Sequence, residues 1–405
     1  MGSAGLALSC LEALCTSLLG FKVTCTIIAI GVPTFCGLFA LAAYYHGFVH
    51  KWPSIVCLIQ LVLATINCNA YFAVSRVFVG ILPEKHTGKL VALYMAMCCC
   101  GKMFFGGLME LFFWKNLAGF FMSCAIASTL TYVPCFVLQY PLYTEQKHEP
   151  ETKTTCADGA EEHGNASTTS TSVRDILRSP FFHVTFWISA LFYGCGMTCT
   201  TNITTIAQSA GVADPLQSVF VLTVVIFTVR VCFGTTFDRF ASMWCGFALL
   251  LVAYSSFVAA MTISILYLSS TSMFLTTILI GVGMAPGLIT PVSILLLRYG
   301  RSHYSAVAGC FYTVSATYQI LLQLFMGILY DAEIPHSGIS GKNCMGTVCF
   351  YWCFRLLLGI TISVIVIQTF NFVISENYSR LRQRFSSSSL RHNESSSPPF
   401  PSDKT

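Results

Sequence analysis

Five ionisable side chains fall inside stretches that are otherwise apolar: Glu12, Arg76, Lys102, Arg230 and Arg355. Asn67, Asn69, Asn202, Gln319, Gln323 and Gln368 are their uncharged companions in similar surroundings. A charge at mid-bilayer costs about 2.5–3.5 kcal/mol on insertion scales, so such residues usually face a cavity or a partner. The chemistry they suit is the recognition of a polar solute. Gln319 and Gln323 are four apart and share a helical face, whereas Asn67 and Asn69 point in nearly opposite directions, so at most one faces a common path. Bond-making chemistry has no such support. No GxSxG, HExxH or GxxxxGKS/T motif occurs, and no two acids pair within a span, so an enzyme is not expected. No cofactor is expected, and no nucleic-acid partner. His46 and His50 could share a helical face at a membrane edge, yet two lone histidines make a weak metal site, and no CxxC pair sits at zinc spacing.

The elements that must carry these residues are long apolar runs. Apolar residues make up 55% of the chain and charged residues 10%, with a mean hydropathy of +0.70. Soluble domains run near a quarter charged, so a soluble globule is excluded. Crossing a bilayer takes about 20 apolar residues, and without water every backbone group must be satisfied within a helix. We read spans at 3–19, 23–45, 54–81, 89–110, 116–140, 181–206, 216–236, 243–268, 272–297, 304–330 and 349–374. The fold class is all-α and polytopic, with the lipid bilayer as the solvent of the helices. Most of the twenty cysteines lie in these spans, where they act as small packing residues.

One long polar insert, 141–180, separates five spans from six. Its Glu149-Pro150-Glu151, Glu161-Glu162 and the Ser/Thr run from Ser167 to Ser172 are too polar to fold alone. The expected organisation is an N-terminal bundle over 1–140, a flexible linker over 141–180, a C-terminal six-helix bundle over 181–375 and a disordered tail over 376–405. Orientation follows from Lys and Arg in the loops. With the linker and C-terminus cytoplasmic, fifteen of the 22 basic residues face inward, three (Lys51, Lys115 and Lys342) face outward, and four lie within spans. Asn165 and Asn393 head glycosylation patterns on the cytoplasmic side, where neither would be used.

Glycine and proline give a further signal. Gly281-Val282-Gly283-Met284-Ala285-Pro286-Gly287 with Pro291, Gly194-Cys195-Gly196 and Gly106-Gly107 are expected to interrupt their spans, and two readings stand side by side: tight packing, since small residues let helices approach closely, and a rocking or gating helix, as broken helices at transporter cavities allow.

The stretch Val229-Arg230-Val231-Cys232-Phe233-Gly234-Thr235-Thr236-Phe237-Asp238-Arg239 resembles the short-loop signature of the major facilitator superfamily. Asn202 with Gln208-Ser209-Ala210-Gly211, and Gly327-Ile328-Leu329-Tyr330-Asp331 followed by Cys344-Met345-Gly346-Thr347-Val348-Cys349-Phe350, are similar to the second half of its nodulin-like, monocarboxylate-transporter-related branch. In the first half, Pro83-Glu84-Lys85-His86-Thr87-Gly88-Lys89 resembles that branch's Phe-Pro…Arg-Gly loop, with Leu82 in place of the phenylalanine. The resemblance implies two helical bundles, about twelve helices in the complete pattern, and secondary transport by alternating access. It implies a gating role for Arg230, Gly234, Asp238 and Arg239. The polar-path candidates are Asn67, Arg76, Lys102, Asn202, Gln319 and Gln323, with Arg76 or Lys102 attracting an anionic solute. The expected partners are a small, organic solute and a coupling ion. Cys344 and Cys349 would lie outside the cell as a candidate disulfide pair. Aligned this way, 54–81 is the fourth family helix and 181–206 the seventh, with the first family helix absent. The alternative expectation, from that absence and the altered first-half loop, is a non-transporting membrane sensor or truncated relative acting through interactions.

Overall fold

The computed structural model describes residues 20–45, 51–81, 87–113, 116–148, 173–240, 242–299, 304–333 and 346–395. The expected span at 3–19 lies outside them. Every regular element among the described residues is helical: α1 Phe21–Tyr44, α2 Pro53–Ile81, α3 Thr87–Phe112, α4 Leu117–His148, α5 Val173–Arg178, α6 Pro180–Thr201, α7 Ile203–Ser209, α8 Pro215–Phe240, α9 Met243–Leu266, α10 Ser270–Tyr299, α11 Tyr304–Glu333 and α12 Tyr351–Ser395, with a 3₁₀ turn at Thr347–Phe350. Six of these helices are long and apolar enough to cross a membrane among the described residues.

Hydroxyl residues enter these apolar rods by returning their proton to the preceding turn. Thr34 Oγ1 donates to Ile30 O at 2.7 Å, Thr223 Oγ1 to Val219 O at 2.7 Å and Thr361 Oγ1 to Leu357 O at 2.7 Å. The hydrogen of each of these hydroxyls is then satisfied within its own helix. The turns follow from local chemistry too. Asp214 Oδ1 accepts from Leu216 N at 3.1 Å where Pro215 opens α8, and Ser242 Oγ accepts from Cys245 N at 3.1 Å to cap α9.

In the first half, α1 packs between α2 and α4 around Cys25, Ile28, Val32, Cys36, Leu63, Ala70 and Ala125. In the second half, α6 packs against α10, α11 and α12, α9 against α10 and α12, and α8 against α10. The larger core formed there also takes in Ala92 and Met95 of α3, which leans chiefly on α8. One helix of the first half is thus pressed against the second.

Several boundaries differ from the sequence reading. The helix α10 runs unbroken through Pro286 and Pro291, α6 through Gly194-Cys195-Gly196, and α3 through Gly106-Gly107. Neighbouring helices can re-satisfy the backbone freed by proline inside a membrane bundle, and two of the glycines have another use. A Cβ on Gly283 would stand 2.9 Å from Ala253 O, and one on Gly194 would stand 2.8 Å from the Cβ of Tyr318. They buy closeness of helices rather than a bend. The break falls instead at Asn202 (φ −97°, ψ 9°), which splits the expected span 181–206 into α6 and α7. Within the stretch read as linker, α4 extends to His148 and α5 covers Val173–Arg178. The segment 376–395, expected to be disordered, continues α12 as helix, for no proline or glycine occurs between Gly359 and Pro398.

Candidate functional site

The helix α6 packs against α10, α11 and α12 at once. Its residues from Phe181 to Cys199 are buried or half-buried except His183 and Trp187. Neighbours on three sides shield its polar residues. Thr185 Oγ1 accepts from Asn371 Nδ2 of α12 at 3.1 Å, and the Ser189 hydroxyl meets the Tyr254 hydroxyl of α9 at 3.5 Å. At its C-terminal end α6 presses on α11, which the bare Cα of Gly194 permits: a Cβ there would also stand 3.1 Å from Ser315 O.

That close approach brings Gln319 to the helix break. Its Nε2 donates to Thr201 Oγ1 at 2.9 Å, and Thr201 Oγ1 itself donates to Met197 O at 2.8 Å. Asn202 closes the end of α6 by donating from Nδ2 to Thr198 O at 2.9 Å. Gln319 is 1% exposed, and its Oε1 has no hydrogen-bond partner. A buried acceptor in that state costs about 1–3 kcal/mol, so such an atom asks for an explanation.

A second polar cluster lies on the seam between α3 and α8. Ser218, Leu222, Ile226, Arg230, Gly234 and Phe237 form the buried stripe of α8. Arg230, 5% exposed, donates from Nη1 to the backbone carbonyl of Met95 on α3 at 2.8 Å. The sulfur of Met95 accepts from the Tyr312 hydroxyl of α11 at 3.4 Å. One residue of the first half is thereby held by two helices of the second. A hydrogen bond from an ionised donor is about twice as strong as a neutral one, so the seam carries a directional tie as well as packing.

The remaining sequence candidates scatter. Asp238 is half-buried near the end of α8, and Arg239 is exposed with its guanidinium 6.0 Å from the Phe240 ring centroid. The expected four-residue gating motif therefore divides: Arg230 and Gly234 are buried in the seam and Arg239 is outside it. Gln323 is half-buried one turn from Gln319, and Asn67 is exposed on α2. The side chains of Arg76 and Lys102 lie outside what is described. Cys349 is buried and disulfide-bonded, while Cys344 lies outside the described residues. Arg355, within α12, lies over the rings of Tyr351 at 4.3 Å and Trp352 at 5.3 Å. No cluster of three or more potential metal ligands occurs among the described residues. A cavity of about 250 Å³ lined by Ile265, Glu333, Val348, Tyr351 and Trp352 opens at the ends of α9, α11 and α12.

Sequence reasoning missed Thr198, Thr201, Tyr312 and Met95. A hydroxyl inside an apolar run is a signal that could have found the first three. Met95 acts through its backbone carbonyl and its sulfur, and residue type gives no hint of the former.

The sequence profile of the Major Facilitator Superfamily matches residues 23–329, well over half of the chain. No curated protein matches the chain by sequence. Among solved structures, the E. coli fucose:proton symporter FucP is similar at 13% identity and a TM-score of 0.52, covering 89% of this chain and 90% of its own. The proton:xylose symporter XylE, bound to 6-bromo-6-deoxy-D-glucose, is similar at 12% identity and a TM-score of 0.60, covering 90% of this chain and 83% of its own. The human organic anion transporter MFSD10 shows 14% identity and a TM-score of 0.56, covering 91% and 83%. At such identities the likeness is one of fold.

Proposed function

This chain belongs to the major facilitator superfamily, and from that premise we propose that it is a secondary transporter moving a small organic solute by alternating access between two helical bundles. The nodulin-like motifs around Asn202, Arg230–Asp238 and Gly327–Asp331 support placing it in that branch. The observation that carries the mechanism is the tie from Arg230 to the Met95 carbonyl. It joins a helix of the second half to a helix of the first through a buried cation. Rocking of the bundles moves those helices apart, so the tie belongs to one access state and is broken in the other. Gly234, one turn along the same buried stripe, keeps the contact face of α8 small next to the cation. The polar cluster of Asn202, Gln319 and Thr201 at the break in α6 supplies a recognition site, and the linker and C-terminus face the cytoplasm.

The test is uptake by the full chain in reconstituted vesicles, under an imposed pH gradient and without one, with labelled sugars, amino acids and organic acids. Uptake above empty vesicles is the expected outcome, and Arg230→Gln lowers it about tenfold or more, given a charge-assisted bond of about 1.5–3 kcal/mol. Absence of flux for every class, with the protein folded and correctly oriented, rejects transport.

A further inference from the structure

We propose that Gln319 accepts a hydrogen bond from the solute, and that the solute is therefore a donor-bearing one, rich in hydroxyl or N–H groups. This rests on the transport reading and narrows it. The hydroxyl of Thr201 spends its hydrogen on Met197 O at 2.8 Å, so it offers only lone pairs to its other neighbour. The Gln319 amide must then present its nitrogen, as the 2.9 Å contact from Nε2 shows. With the amide fixed this way round, Oε1 points away from Thr201, and it is buried with no partner. An amide held in one orientation by a neighbour is pre-organised, and here its unpartnered acceptor is Oε1, beside the second N–H of Nε2.

The surroundings agree. Asn202, at the break between α6 and α7, also commits one hydrogen of its amide nitrogen, to Thr198 O at 2.9 Å, and offers Oδ1 as an acceptor. Thr198 donates to Gly194 O at 2.8 Å, so its hydrogen too is committed. Each of these side chains thus has a donor engaged within the protein, and Gln319 Oε1 is the buried acceptor left without a partner. An acceptor-only solute such as a keto acid leaves that oxygen unpaired, whereas a hydroxyl or an ammonium satisfies it. Gln368 Oε1 and Thr276 Oγ1 are also buried without partners, but neither stands beside a break in a helix.

The experiment measures ligand-induced thermal stabilisation of the purified full chain with three probes: D-glucose, L-leucine and pyruvate. The first two carry donors, and pyruvate carries acceptors alone. The expected result is stabilisation by a donor probe and none by pyruvate. In Gln319→Leu the apparent affinity for that donor probe falls about tenfold or more, since a polar site that loses its partner discriminates strongly. Gln319→Met, close in volume and without an amide, lowers it as much, and this separates a binding role from a packing defect. Stabilisation by pyruvate in preference to both donor probes overturns the inference. So does an affinity that Gln319→Leu leaves unchanged, or failure of both donor probes to bind. Uptake into vesicles separates the two readings. Donor binding that depends on Gln319 without any flux rejects transport alone, while flux of a donor solute indifferent to Gln319 rejects this inference alone.

Discussion

A single guanidinium and a single carbonyl tie α8 to α3. Arg230 is the one charged side chain among the described buried residues, and the Met95 carbonyl is its acceptor across the seam. Removing the cation in Arg230→Gln costs the seam about 1.5–3 kcal/mol, the worth of a hydrogen bond to a charged group. A shift of that size changes the ratio of two access states by about 10- to 150-fold. Hydrogen exchange in peptides from α3 and α8 should accelerate accordingly. Tyr312→Phe removes only a bond to a thioether, a weak acceptor, and should accelerate it much less. Equal effects of the two substitutions, or none, would show that packing alone holds the seam. Arg230 was legible in the sequence as a charge in an apolar run. Its partner was not, because a backbone carbonyl is present at every position and only the approach of α3 to α8 selects this one.

At the scale of the helix, the apolar runs located the long elements well, since twenty residues without water leave the backbone little choice but to bond within itself. What the sequence obscured was where helices break. Prolines and glycines in α10 marked an interruption on paper, yet the helix continues because the surrounding helices close on it. The true break, at Asn202, has neither residue and depends on an amide that can satisfy the Thr198 carbonyl from its side chain. The steric reading of the glycines is testable. In Gly283→Ala the new methyl meets the Ala253 carbonyl at 2.9 Å and the Cβ of Phe257 at 3.0 Å, so α9 and α10 must separate. Such overpacking costs about 1–3 kcal/mol. Gly359 in α12 has nothing within 4 Å of a built Cβ, and Gly359→Ala gains about 0.5–1 kcal/mol of helix preference. Thermal unfolding in detergent should fall for the first and hold level or rise for the second. A fall of the same size in both would mean that helix approach is not what Gly283 serves.

Across the whole molecule, among the described residues, one core gathers around α1, α2 and α4 and another around α6 and its neighbours, the second also taking in Ala92 and Met95 of α3. The polar groups Gln319, Thr201 and Asn202 sit at the α6–α11 contact. Orientation in the membrane is a property at this same scale, because it is set by the sum of the loops rather than by any one residue. From the excess of Lys and Arg in alternate loops, we propose that the segment between α4 and α5, and the end of α12, face the cytoplasm. In microsomes, whose cytoplasmic face is outward, added protease should cut between α4 and α5 and trim the chain after α12. The segment between α11 and the 3₁₀ turn should survive the same treatment. Asn165 and Asn393 should carry no glycan, so glycosidase should leave the mobility of the chain unchanged. A protected stretch between α4 and α5, with a glycan on Asn165, would invert the orientation. The α6 break with Gln319 would then lie toward the cytoplasmic side, and a solute arriving from outside would meet the Arg230 end of the seam first.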